Sequence, residues 1–170
     1  MATPIDVDRV KNETSRWLED IVIDLNLCPF ARSEWENNRV RIHVSNAATV
    51  QQLLAAVMAE LDHLLNHDKI ETSLVVHPDV LTDFDDYNQF LDDADNLIRE
   101  LELEGIIQIA SFHPDYQFQD TAFLDLDNFT NRSPYPMLHL LREDSLEAAI
   151  ERHPDPEGIP ERNVERLQEM

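Results

Sequence analysis

Glycine is almost missing from this chain. Two glycines stand among 170 residues, where average usage would supply about twelve. The glycine-rich loops that cradle nucleotide phosphates cannot be built from so few, and neither G-x-G-x-x-G nor G-x-x-x-x-G-K-[ST] occurs. A β-sandwich or barrel with many glycine-dependent turns is disfavoured for the same reason. Cysteine occurs once, as Cys28, which excludes a disulfide within the chain and any Cys-x-x-Cys zinc or redox site. Positive charge is scarce: 13 Lys and Arg stand against 35 Asp and Glu, a formal net charge of -22. Such a chain repels phosphate backbones instead of releasing their counterions, and repels anionic lipid surfaces. We therefore expect neither nucleic acid nor membrane among its partners. The longest apolar run, Leu53 to Ala59, falls far short of the ~20 residues of a membrane span. Met1-Ala-Thr-Pro-Ile-Asp has no basic stretch leading into an apolar one, so no signal peptide is expected and a cytoplasmic location follows.

What is present is the pattern of a globular chain. The apolar share is 42%, and the length suits one domain. Thr3-Pro4 reads as the N-cap and first position of a helix whose apolar residues recur at Val7, Val10, Trp17, Leu18, Ile21 and Leu25, ended by Cys28-Pro29. Arg39 to Ser45 alternates as a strand does. Asn46 is placed to cap a second helix with a stripe from Val50 to Leu65. Glu71 to Val76 reads as a second strand. Thr82 and Asp85 resemble a capping pair before a third helix, and Gly105 stands where a left-handed residue closes it. Ile106 to Ser111 is a third strand, apolar on both faces. Residues 112–135 lack helical period and form a long loop or a short hairpin. Met137 to Arg142 is expected as a helix opened by Ser133-Pro134, continuing or restarting at Asp144-Ser145. His153 to Gly158 is rich in turn formers, and a last helix begins near Pro160.

Strands alternating with helices of about twenty residues imply right-handed parallel crossovers. The expectation is a small three-layer α/β domain, with about three mainly parallel strands and helices on both faces. The alternative is an α+β fold whose mixed sheet takes an antiparallel strand from 112–135. Residues 1–152 form the domain in this reading, and 153–170 a turn-rich tail with a short helix packed on it.

Two strands leave in the same way, as Val-Val-His77-Pro78 and Ser-Phe-His113-Pro114. Parallel strands would bring both histidines to one carboxyl edge, where open α/β sheets place their ligands. His77 and His113 are therefore the catalytic candidates, as acid–base groups or as metal ligands. A carboxylate from Asp115, Asp120, Asp125 or Asp127 would complete a site for a divalent metal such as zinc or iron, and nothing in the spacing selects one. Asn131, Arg132 and Ser133 precede the expected fourth helix, whose N-terminus would add free N–H groups and a positive dipole end to an anion site. His139 and Arg142, three apart on that helix, Tyr116 in the loop, and Cys28 complete the pocket-lining candidates. Asp83, Asp85, Asp86, Asp92, Asp93 and Asp95 are a solvated helix face rather than a calcium loop, lacking its glycine and terminal glutamate.

The chain also resembles a bacterial family called domain of unknown function 1415. The resemblance is carried by Trp17-Leu18-Glu19 through Asn26-Leu27-Cys28-Pro29-Phe30-Ala31, by Val76-His77-Pro78 with Asp83-Phe84-x-Asp86-Tyr87-Asn88, and by Gln108 to Phe118 and Thr130 to Glu143. It implies no activity, cofactor or catalytic residue, but its signatures run through the same His-Pro exits and Arg132 loop. The functional expectation is an enzyme, a hydrolase or group-transfer catalyst, acting on a small anionic substrate at the strand rim. The alternative is a module that captures an anion, a metal or a partner there without turnover.

Overall fold

Val and Ile alternate with Arg and His in the first strand, Leu-Val-Val closes the second, and these two pair as expected. β1 (Val40–Val44) runs parallel to β2 (Thr72–Val76), with Val40 opposite Thr72 and Val44 opposite Val76. In the structure, a computed structural model that describes residues 4–23, 25, 28 and 31–169, the remaining strands depart from expectation. β3 (Ile107–Phe112) does not touch β2. Between them lies β4 (Met137–Arg142), antiparallel to both, so the sheet is mixed, with the order β1-β2-β4-β3. The segment expected as a helix is thus a strand. Its six residues, Met-Leu-His-Leu-Leu-Arg, are apolar on both sides of the chain, and such a run does not separate a buried strand from a buried helix by period alone. The mainly parallel sheet is not confirmed: β1, β2 and β3 share one direction, but only the β1–β2 pairing is parallel. A mixed sheet was the alternative, but its antiparallel strand comes from 137–142 rather than 112–135.

Side chains alternate between the two faces of this sheet. On one face Val75, Ile107, Leu138 and Leu140 pack against α3 (Val50–Asn66) and α4 (Phe84–Glu100), through residues such as Leu53, Val57, Tyr87, Phe90 and Ala94. On the other, Ile42, Leu74, Val76, Phe112 and Met137 meet α1 (Val7–Trp17) and a π-helical turn, Leu18–Ile23, that continues it. α2 (Ala31–Glu36) follows, held to the π-helical turn by Trp35, whose Nε1 donates to Glu19 at 3.1 Å. After β4 the chain enters α5 (Glu143–Arg152), a short 3-10 turn at Pro156–Gly158, and α6 (Ile159–Gln168), which packs on a 3-10 helix at Leu126–Asn131.

The caps differ in detail. The expected Thr3 cap and the Pro29 stop lie outside the described residues. α1 begins at Val7, with the Asp6 side chain accepting from Arg9 N. Thr49, not Asn46, caps α3 by accepting from Gln52 N, and Asp83 caps α4 by accepting from Asp86 N. The left-handed residue ending α4 is Glu102 (φ 58). Gly105 is also left-handed (φ 78) but serves the turn into β3. Arg41 forks onto Glu60 across the α3 face at 2.9 and 3.1 Å, which satisfies a carboxylate only 4% exposed.

Candidate functional site

β2 and β3 both run antiparallel to β4, so they point the same way and deliver His77 and His113 to one end of the sheet. There both rings are fully buried. Each is held by the connection that follows β2: His77 Nδ1 donates to Val80 O at 2.9 Å, and His113 Nε2 to Leu81 O at 3.0 Å. The tautomer of His113 is fixed because its Nδ1 accepts from Asp115 N at 3.0 Å. Leu81 sits at φ 57, costly for a non-glycine residue, and the histidines hold the turn that contains it. Tyr87 lies between them, with ring centroids 6.0 Å from His77 and 4.9 Å from His113. Its hydroxyl donates to Met137 O at 2.7 Å and accepts from Phe112 N at 3.0 Å, and burial pushes its phenol pKa up. Burial lowers the pKa of both histidines, that of His77 to about 4. The pair is therefore neutral at pH 7, and it lacks the access to solvent that acid–base exchange requires.

The Arg132 segment is also turned inward. No helix follows it, since residues 133–136 lead directly into β4, and the expected dipole end is absent. Arg132 donates through Nε to Tyr116 O at 3.1 Å and through a terminal nitrogen to Phe123 O at 2.6 Å. Its guanidinium lies 4.3 and 4.4 Å from the ring centres of Phe123 and Phe129. Asn131 donates to Ser111 O, and Ser133 Oγ to Tyr135 O. Tyr116 accepts from Ser111 Oγ at 3.2 Å and packs on Phe84 and Phe118. These residues make an arginine-centred staple for the loop between β3 and β4.

A cavity of about 710 Å³ lies elsewhere, against the α1 face of the sheet. Its floor is sheet: Thr72, Leu74, Ala110, Phe112, His139 and Leu141. The π-helical turn walls one side through Leu18 and Val22, preceded by Trp17. α2 adds Ala31, Ser33 and Glu34, and α5 covers it with Ser145, Leu146, Ala148, Ala149 and Arg152. This size and mostly apolar lining with a few polar groups suit a small-molecule site, and π-helical turns recur at functional sites because their wider coil reshapes a wall.

His139 and Thr72 are the polar residues of the floor. In β4, His139 faces the cavity with Leu74 and Ala110 as register partners. Arg142, three residues on, belongs to the opposite face of a strand, so the two do not share a face as they would on a helix. Arg142 borders the cavity, but its guanidinium is spent on Leu64 O in the last turn of α3 and on His67 O and Ile70 O just beyond it. Cys28 does line the cavity. Sequence reasoning thus named His139, Arg142 and Cys28 as pocket residues, but missed Thr72, Glu71, Arg39 and Arg152.

His139 is enclosed by protein yet keeps accessible surface, because that surface faces the cavity. Loss of hydration lowers its pKa to about 4. Among the described residues the charged groups near the cavity are few: Arg39 lies beside Glu34 at 3.3 Å and donates to Glu71, and Arg152 has no ion pair. Among those residues no group of three or more His, Cys, Asp or Glu gathers where a metal could be held, and no helix is long and apolar enough to cross a membrane.

A family model described as a protein of unknown function (DUF1415) matches residues 9–170. The chain belongs to that family. No curated protein and no solved structure matches it. The DUF1415 match takes in every residue lining the cavity, from Trp17 to Pro154, together with both buried histidines and Arg132.

Proposed function

We propose that this DUF1415 protein binds a small anionic molecule with an apolar body in the cavity between the sheet, the π-helical turn and α5. The observation that carries this reading is the reversal of charge balance at the lining. The whole chain has 35 acidic and 13 basic residues, whereas among the described residues the lining has two carboxylates, Glu34 and Glu71, against three arginines, Arg39, Arg142 and Arg152. Both carboxylates already face Arg39. An anion that avoids the rest of this molecule meets least repulsion here, with Arg152 at the mouth to receive it.

Hydrolysis or group transfer on the same molecule is a second reading, favoured by a neutral histidine at the cavity floor. Binding without turnover is the better supported of the two. His139 is bonded to Thr72, whose hydroxyl proton is already given to Leu140 O at 2.8 Å, so that hydroxyl is not an activated nucleophile.

The test is calorimetric titration and thermal shift with phenylacetate and hexanoate against their uncharged amides, on wild type, Arg152→Glu and Ala149→Trp. The carboxylates should bind and raise Tm in wild type. Charge reversal at the mouth should weaken them at least tenfold, and the tryptophan should fill the cavity and abolish binding. Binding that survives both substitutions, or amides binding as well as acids, would overturn the proposal.

A further inference from the structure

The proton positions around His139 are fixed by the chain itself. Thr72 Oγ1 is within hydrogen-bond distance of two groups, His139 Nε2 and Leu140 O. A hydroxyl has one proton and the carbonyl can only accept, so the proton goes to Leu140 O. The contact with His139 must then run the other way, with imidazole Nε2–H donating to Thr72 Oγ1. A neutral imidazole carries one N–H, which leaves Nδ1 as a bare lone pair. No described residue donates to that nitrogen. The floor residues beside it are apolar: Leu74 and Ala110 in register, and Phe112 with its ring centre 6.1 Å away. Unlike His77 Nε2, which is sealed in protein without a partner, this acceptor belongs to a ring that faces open space.

We infer that the ligand carries a hydrogen-bond donor, a hydroxyl or N–H, at the end remote from its anionic group, and that His139 Nδ1 receives it. This deepens the anion-binding reading, on which it rests, and names a class of molecule: a hydroxy acid or amino-substituted acid with an apolar body between its two polar ends. The acid stays by Arg152 at the mouth while the donor reaches the sheet. The site then selects by a known asymmetry, since a buried acceptor built to receive a proton rejects the analogue that lacks one more strongly than an apolar pocket rejects an added group. The ring can accept because burial keeps it neutral.

The experiment compares matched pairs by titration calorimetry on the full chain: phenylacetate with para-hydroxyphenylacetate, and hexanoate with its omega-hydroxy counterpart. Wild type should bind the hydroxylated member at least tenfold more tightly, and His139→Leu should erase that preference while still binding the plain acids. Nitrogen-15 NMR of unmutated protein gives a readout that does not depend on the variant folding: the His139 Nδ1 resonance should move with the hydroxy acids and stay with the plain ones. Equal affinity within each pair, or an unmoved Nδ1 resonance, would overturn this inference and leave the anion reading standing. Failure of all four acids to bind would overturn both.

Discussion

At the scale of single residues, the histidines divide by what their rings face. His77 and His113 are spent on backbone carbonyls, whereas His139 has one nitrogen committed and one open. His77 makes a testable case of linkage between burial and pH. Its folded pKa of about 4 lies below the usual 6.5, because desolvation outweighs the bond to Val80 O. The unfolded chain therefore binds a proton that the folded one refuses. The sign follows: the His77 contribution is fully present above pH 6.5 and is lost as pH falls toward 4, with a total of roughly 3 kcal/mol. His77→Asn places an amide N–H where Nδ1–H was and cannot titrate in this range. Urea unfolding between pH 7 and 4 should show a flatter profile for the variant. Parallel profiles would mean that the ring is protonated in the folded state without penalty.

At the scale of elements, Arg132 makes one unit of a loop that otherwise lacks regular structure. Two carbonyl bonds and two stacked rings depend on its planar fork, and lysine can reproduce only the charge. Arg132→Lys should cost about 1–2 kcal/mol and speed limited proteolysis between Phe118 and Leu124, where Phe123 and Leu124 are already exposed. Cleavage at the wild-type rate would show that the loop is held by its other contacts. Elements with one buried stripe were legible in advance: α3 and α4 by their three-and-four spacing, β1 by alternation, and β2 and β3 by short apolar runs with sharp ends. β4 was not, because a strand buried on both faces has no stripe. The π-helical turn was not, because Trp17, Leu18 and Ile21 keep a spacing that an α-helix also satisfies. Much of the cavity was hidden for a third reason. Its key contact joins Thr72 to His139, 67 residues apart, and no local pattern records a pairing that the sheet order creates. His139 was picked out, but for a helix face that does not exist.

At the scale of the whole molecule, the net charge of -22 acts against compactness. Like charges on a surface of 9983 Å² repel one another, and the folded chain holds them closer than the unfolded one does. Sodium chloride should therefore raise the urea midpoint at neutral pH, most steeply below about 0.15 M, where the screening length is still near 8 Å or more. A midpoint that is flat or falls over that range would show that pairs such as Arg41–Glu60 and Arg39–Glu71 outweigh the general repulsion. The sheet order has a consequence in time as well as in space. The strand that joins β2 to β3 comes last of the four, at residues 137–142. While the ribosome is still adding earlier residues, β3 has no neighbour, β2 has one bare edge, and the cavity has neither its histidine nor its α5 cover. The nascent chain carries an unfinished sheet until β4 has been made, and the cavity is enclosed only when α5 has followed it.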